Sequence, residues 1–216
     1  MTRKFKAEGM KEKKIYLLFT DTGTLFTKLI KLYTKKPFNH VSLSFDHQLT
    51  EIFSFGRKKQ YNPFIGGFVS EKLGRGLFKK ARCEVYSYTI SEMDYNQMIK
   101  KVRKMEAEKD LYKYNFIGLF AIILNLNFNR KNAFFCSQFV ATIISEKIDA
   151  LDKIPCLVTP QDLMNLDKLQ LVYKGELNYY PPNKKELMEN TAKERVWKQI
   201  ISYTIQQTML RRKKVS

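Results

Sequence analysis

The sequence offers three residues for nucleophilic chemistry. They are Cys136 as a thiol nucleophile, His40 as a base and Glu51 as a carboxylate that orients the base. A cysteine nucleophile needs a base to take its proton, and a third polar group commonly orients that base. The sequence contains only two histidines. His47 falls in a predicted hairpin turn, whereas His40 begins a predicted strand that holds its side chain rigidly. We therefore expect His40 to be the base.

Cys136 lies in the stretch NAFFCSQFV, residues 132–140, where a polar turn is followed by a predicted helix. A thiol in the first turn of a helix meets the positive end of the helix dipole and free backbone N–H groups. Both favour the thiolate, and the N–H groups can also stabilise an oxyanion. An unpaired cysteine is, however, most often a small buried apolar side chain. The residue alone leaves both interpretations open.

Glu51 follows His40 by eleven residues, on the second strand of the predicted hairpin. If the hairpin loop has an even number of residues, positions 40 and 51 lie on the same face of the sheet. An odd loop places them on opposite faces. We expect Glu51 to orient the imidazole, while a shift in register would bring Ser54 or His47 into reach.

The elements that must position these residues are those of a mixed α and β domain. Period-two alternation and buried apolar runs predict strands, and apolar residues at helical spacing behind capping residues predict helices. A stretch rich in Gly, Asn and Pro at 56–76 predicts a long loop. We expect the α+β class, with one antiparallel sheet and helices on its faces. The predicted strands are 14–20, 39–45, 49–55, 81–90 and 169–173, and the predicted helices are 25–33, 92–109, 113–125, 134–147 and one capped by Thr159.

The chain of 216 residues fits one globular domain with appended segments. We place a basic extension at 1–13, the main domain at 14–180 and a basic tail at 181–216. Apolar residues of the tail are spaced for an amphipathic helix, which suits an anionic membrane surface. A helix that docks back on the domain is the alternative.

The surface charge is strongly positive, because 39 Lys and Arg oppose 21 Asp and Glu for a net charge of +18. Such a surface attracts phosphates, anionic lipids and acidic polymers. The sequence shows no RNA-recognition, zinc-finger or helix-turn-helix pattern, which argues against specific nucleic-acid binding.

Cellular location is indicated by short apolar runs and by the cysteines. The run at 15–19 is too brief for a signal-peptide core, and 116–124 has about half of the ~20 residues that a membrane-spanning helix needs. Three cysteines without a CxxC pair or a Cys/His cluster predict reduced thiols and no zinc site. We expect a cytoplasmic protein, with a peripheral position at a membrane left open.

The order of three motifs resembles that of a known superfamily. They are NHVSLSFD at 39–46, TEIFSFG at 50–56 and FFCSQFV at 134–140. This arrangement resembles the circularly permuted papain-like families related to the NlpC-type hydrolases, with the bacterial YiiX-like group nearest and lecithin retinol acyltransferase more distant. In the permuted families the histidine strand precedes the cysteine helix. The resemblance covers about 14–175.

The resemblance implies a permuted papain-like fold with Cys136 as nucleophile, His40 as general base and acid, and Glu51 as the group that fixes the imidazole. It implies no metal and no organic cofactor. Ser137 and Gln138 are expected to cap the helix and contact backbone.

The implied activity is that of a cysteine hydrolase, an amidase or peptidase, that forms a thioester on a peptide-like or lipid-linked amide substrate. One alternative is a membrane-surface lipid acyltransferase or lipid hydrolase with the same Cys/His pair. Another is a basic interaction module without turnover.

Overall fold

The computed structural model describes residues 11–21, 36–59, 62–73, 81–124, 126–146 and 151–180. The chain divides into two compact units, Met1–Tyr180 and Pro181–Ser216, and all of the described residues belong to the first. The predicted helix at 25–33, the tail at 181–216 and residues 1–10 of the predicted extension lie outside the described residues.

A six-stranded antiparallel sheet is the centre of the first unit, and a short parallel pair of strands lies beside it. The prediction of a mixed α+β protein with one antiparallel sheet is confirmed at this level. In chain order the strands are β1 (Glu12–Asp21), β2 (His40–Ser44), β3 (Ile52–Lys59), β4 (Asn62–Glu71), β5 (Arg82–Ser91), β6 (Lys113–Tyr114), β7 (Ala133–Phe134) and β8 (Gln170–Glu176). The order across the sheet is β4-β3-β2-β1-β5-β8, and β6 pairs with β7.

Two of the described helices begin at the capping residues that the sequence indicates, Ser91 and Thr159. The Ser91 hydroxyl accepts the N–H of Asp94, and Thr159 forms a reciprocal capping box with Asp162. None of the described helices combines the length and the apolar character needed to span a bilayer. The α-helices are α1 (Glu92–Ala107), α2 (Phe116–Ile123), α3 (Cys136–Ile144) and α4 (Pro160–Met164), and the 3₁₀ turns are Lys109–Leu111, Pro155–Leu157 and Leu177–Tyr179.

The prediction of a long loop at 56–76 is wrong for 56–59 and 62–71, because β3 and β4 pair there as a hairpin, while 60–61 and 74–76 lie outside the described residues. The glycines that suggested a loop serve close packing instead. A Cβ atom added to Gly66 would lie 2.5 Å from the carbonyl oxygen of Gly56 and 2.7 Å from the Cβ atom of Tyr114. Glycine in a strand often marks such an approach of another backbone.

One face of the sheet packs against α1 and α3, and this contact fixes the position of the α3 helix. The apolar cluster on this face joins alternate residues of the strands to both helices. Phe139 of α3 is fully buried, with its ring centroid 5.3 Å from that of Phe55 and 5.8 Å from that of Phe68. Burial of a side chain of this size contributes about 1.5–3 kcal/mol. A smaller cluster with Leu18, Val85 and Leu177 covers the opposite face.

Candidate active site

Cys136 is the first residue of α3, and its side chain is only 5% exposed. The preceding residue, Phe135, has an extended backbone and makes no side-chain hydrogen bond to the helix. The prediction that Ser137 and Gln138 cap this helix is wrong. Ser137 is buried, and the side-chain amide of Gln138 donates to Oδ1 of Asn129 at 3.3 Å. The N–H groups of the first turn are therefore not satisfied by a side-chain cap.

His40 begins β2, where its imidazole lies close enough to the Cys136 thiol to shift the pKa of that thiol. Within the described strands, β2 and β3 pair only at Leu43–Phe53 and Ser44–Ile52, so the ladder ends before it reaches His40. Helix α3 packs against both strands. The backbone N–H groups of Val41 and Ser137 also act on the thiol and lower its pKa. The sulfur is thus held at the end of one strand and the start of one helix.

Glu71, the last residue of β4, is the carboxylate that holds the imidazole. Nε2 of His40 lies 2.9 Å from Oε1 of Glu71. Ser54 donates its hydroxyl to the same oxygen at 2.5 Å, and Ser42 donates to Oε2 at 2.6 Å. Ser42 Oγ also lies 3.2 Å from His40 Nε2. Because Nε2 faces Glu71, the other ring nitrogen, Nδ1, is the one left to face the thiol.

Glu51 lies elsewhere, which corrects its predicted role. Its exposed carboxylate pairs with the guanidinium of Arg103 on α1. The cause is the length of the hairpin loop, since residues 45–51 between β2 and β3 are odd in number. With Leu43 paired to Phe53, the position across from His40 belongs to Gly56. An odd loop puts positions 40 and 51 on opposite faces.

The electrostatics of the site favour a thiolate beside an imidazolium. Burial on its own lowers the pKa of His40, but attraction to Glu71 and hydrogen bonds to Cys136 and Glu71 outweigh it and raise this pKa to about 10. For Cys136, burial opposes ionisation, while the hydrogen bond and charge of His40 and the N–H groups of Val41 and Ser137 lower the thiol pKa. Charge partners of this kind are what activates a cysteine.

The other two cysteines have the opposite shift. Burial, with a contribution from Glu84, raises the pKa of Cys83 to about 12. Burial also raises the pKa of Cys156, partly opposed by a backbone hydrogen bond, and its thiol donates to Oδ1 of Asn127 at 3.1 Å. The structure thus separates Cys136 chemically from both other thiols.

Tyr114 of β6 completes the surroundings of the sulfur. Burial raises the pKa of its phenol, the negative charge of Cys136 adds to this rise, and Arg57 opposes it. The phenol therefore keeps its proton and remains a hydrogen-bond donor near the thiolate. Its backbone position is set by the close packing of β6 against Gly66 described above.

Glu71 and Tyr114 are not among the site residues that the sequence suggests. The alternation of polar and apolar residues in 39–45 puts Ser42 on the same strand face as His40, and the structure shows both side chains on Glu71. The available signal for β4 was its apolar and β-branched content around Phe68 and Val69, which was outweighed by the Gly, Asn and Pro content.

Comparisons of the chain with protein-family models, with curated proteins and with solved structures find no match. Membership of the permuted papain-like family therefore stays a prediction from the motif order.

Proposed function

We propose that this protein is a cysteine-dependent hydrolase with a permuted papain-like fold, acting on an amide bond through a thioester. The observation that carries the proposal is the continuous chain of contacts in which the His40 imidazole joins the Cys136 thiol to the Glu71 carboxylate. Cys136 is buried and the side chains of His40 and Glu71 are only 14% and 8% exposed, so each member has a fixed place, as nucleophilic catalysis requires.

In the acylation step the Cys136 thiolate attacks the carbonyl carbon of the amide. As the tetrahedral intermediate collapses, the His40 imidazolium donates its proton to the amine nitrogen, the C–N bond breaks and a thioester remains. In the second step the neutral imidazole takes a proton from water, and the resulting hydroxide attacks the thioester carbon. The C–S bond then breaks, the acid leaves and the thiolate–imidazolium pair is restored.

The surrounding groups have supporting roles in this scheme. Glu71 holds the imidazole by Nε2 and stabilises its positive charge. The N–H groups at the start of α3 and the phenol of Tyr114 are the donors available to a developing oxyanion. The residues involved need no metal or organic cofactor for this chemistry.

A second candidate keeps the Cys136–His40 pair and changes the substrate to a lipid, with hydrolysis or acyl transfer at a membrane surface. It is favoured by exposed apolar side chains around α2, which follows Tyr114 in the chain. The peptide-like or lipid-linked amide is preferred because the motif order resembles that of amide hydrolases. An interaction module without turnover would not need an activated thiol.

Alkylation with iodoacetamide at pH 6, followed by mass-spectrometric mapping, tests the proposal. We expect Cys136 to react at least about tenfold faster than Cys83 and Cys156, because only the pKa of Cys136 is lowered. Cys136→Ala should remain folded and lose the fast label, and His40→Ala should slow it.

The two other thiols are internal controls for accessibility and unfolding. Equal rates at the three cysteines in folded protein would contradict an activated nucleophile and would favour the interaction module. Fast labelling without turnover of amide or ester probes would point to the module as well.

A further inference from the structure

Large apolar side chains are exposed together around α2. Within the described residues, Ile117, Leu124, Leu126 and Ile154 are each between 47% and 67% exposed. Scattered exposed leucines are ordinary, but a contiguous group marks an interaction site. We call these four residues the α2 surface.

Hydrogen bonds around α2 bring Leu124, Leu126 and the turn after Ile154 to one end of the helix. The N–H groups of Leu124 and Leu126 both donate to the carbonyl of Ala121, which places both leucines at the C-terminal end of α2. The next residue, Asn127, accepts the thiol of Cys156 at 3.1 Å. This bond brings the 3₁₀ turn that follows Ile154 against the same end of the helix, and that turn also packs on α2.

The charge around the α2 surface has one sign over a long stretch. Residues 111–145 contain no Asp or Glu and three cations, Lys113, Arg130 and Lys131. All three are exposed, and no ion pair within the described residues involves them. At the Ile154 end the balance is one negative charge, because Asp152 is exposed there while Lys153 pairs with Asp162 at 2.8 Å.

We propose that the α2 surface docks on an anionic phospholipid bilayer. Apolar side chains enter the interfacial region, and the three cations meet the lipid phosphates. With eight residues α2 is about 12 Å long, so it lies in the plane of the interface and does not cross it. Two of the three cations are Lys, a residue that is depleted at interfaces between proteins.

The docking itself does not depend on the proposed catalysis. It has one consequence that rests on the proposed function. Because Tyr114 precedes α2 by two residues and lies near the thiol, docking would hold the Cys136 site close to the lipid surface and to lipid-linked substrates.

Co-sedimentation of the full chain with vesicles tests the docking. We expect binding to vesicles of phosphatidylglycerol mixed with phosphatidylcholine, and much weaker binding to phosphatidylcholine alone. Leu124→Glu combined with Leu126→Glu should weaken binding about tenfold or more, because it replaces inserted apolar groups with charges that the lipid repels. Both leucines are exposed, so the variant should fold.

The matched control is Leu171→Glu, since Leu171 is also 53% exposed but lies on β8, at the opposite edge of the sheet from β4. It should bind as the unmodified chain does. Binding that survives the double variant, as attachment through the basic tail alone would give, overturns the proposal. So does equal weakening by the control or an absence of vesicle binding. Iodoacetamide labelling of Cys136 in the same double variant keeps failure of docking distinguishable from failure of the catalytic proposal.

Discussion

Glu71 carries its negative charge inside the protein because three side chains surround its two oxygens. A buried charge is costly unless it is paired and hydrogen-bonded. His40 supplies the opposite charge, and Ser42 and Ser54 donate hydroxyl hydrogens at 2.6 and 2.5 Å. The two serines therefore act on the thiol indirectly, by fixing the carboxylate that fixes the imidazole.

Replacing Glu71 with glutamine should raise the pH at which Cys136 becomes reactive. Gln keeps the size of the side chain but removes the charge that raises the pKa of His40. A His40 side chain that is protonated less of the time stabilises the thiolate less. We expect the midpoint of the alkylation rate against pH to rise by about one unit or more, with about a tenfold loss of rate at pH 6.

Glu51→Gln is the matched control, because Glu51 pairs with Arg103 on the surface. It should leave the midpoint unchanged. A larger effect from Glu51→Gln than from Glu71→Gln would restore the assignment that the sequence alone suggested.

Ser42→Ala should shift the same midpoint upward by less than Glu71→Gln does. Ser44→Ala is its matched control on the same strand, since Ser44 is equally buried but bonds to Asp46 in the adjoining loop. Each variant should lose about 0.5–1.5 kcal/mol of unfolding free energy in urea denaturation. Only Ser42→Ala should move the alkylation profile, and equal shifts in both would mean a general loosening of β2.

At the scale of elements, local sequence patterns were sufficient to predict a feature that depends on one strand or one helix alone. The alternation in 39–45 predicted β2 and the shared face of His40 and Ser42, and Ser91 predicted the start of α1. The number of residues in the β2–β3 loop is not a local pattern. It depends on which of several apolar residues enter the core, and one residue decides the face on which Glu51 lies.

The β4 strand was missed for a related reason. Its glycines lower strand propensity locally, and their cause is the approach of β6, a segment about fifty residues later in the chain. A single sequence does not show that approach. The missing strand also removed Glu71 from the candidates, so an error about one element became an error about one residue of the candidate site.

Gly66→Ala should destabilise the protein more than Gly56→Ala. A Cβ atom at Gly66 would lie 2.5 Å from the carbonyl oxygen of Gly56 and 2.7 Å from Cβ of Tyr114 on β6, whereas at Gly56 the nearest atom is Cγ2 of Val69 at 3.7 Å. Forcing a methyl group into a packed site costs about 1–3 kcal/mol, which corresponds to a fall in Tm of several degrees in a thermal melt. Equal Tm values for the two variants would show that β6 does not press on β4 as described.

At the scale of the whole molecule, the site is assembled from three distant parts of the chain. His40, Glu71 and Cys136 come from two strands and a helix, and the packing of Phe139 against the sheet keeps the helix in place. Folding and the ionisation of the site are therefore linked, because the imidazolium and the thiolate form only when these parts meet.

This linkage predicts a stability that is insensitive to pH within one window. Imidazole in the unfolded chain loses its proton near pH 6.5, and the unfolded thiol keeps its proton until about pH 9.0. In the folded protein His40 keeps its proton up to about pH 10, and Cys136 has lost its own. At any pH below 9 that is above both 6.5 and the lowered thiol pKa, the two side chains together hold one proton in the folded state and one in the unfolded state. The pair then contributes no slope.

Cys136→Ser removes the contribution of the thiol to the pH dependence of stability and should reveal the contribution of His40. Glu71 still raises the pKa of His40, so the folded state now holds one proton that the unfolded state lacks. A raised histidine pKa gives stability that is complete below pH 6.5 and is lost as the pH rises. We expect the unfolding free energy of Cys136→Ser, relative to the unmodified chain, to fall by about 1–3 kcal/mol between pH 7 and pH 9. Urea denaturation under reducing conditions measures it.

Cys156→Ser should follow the unmodified chain, because Cys156 has no charged imidazole beside it to compensate. A Cys136→Ser curve parallel to that of the unmodified chain would mean that Glu71 does not keep His40 charged once the thiolate is removed, which contradicts the role given to Glu71.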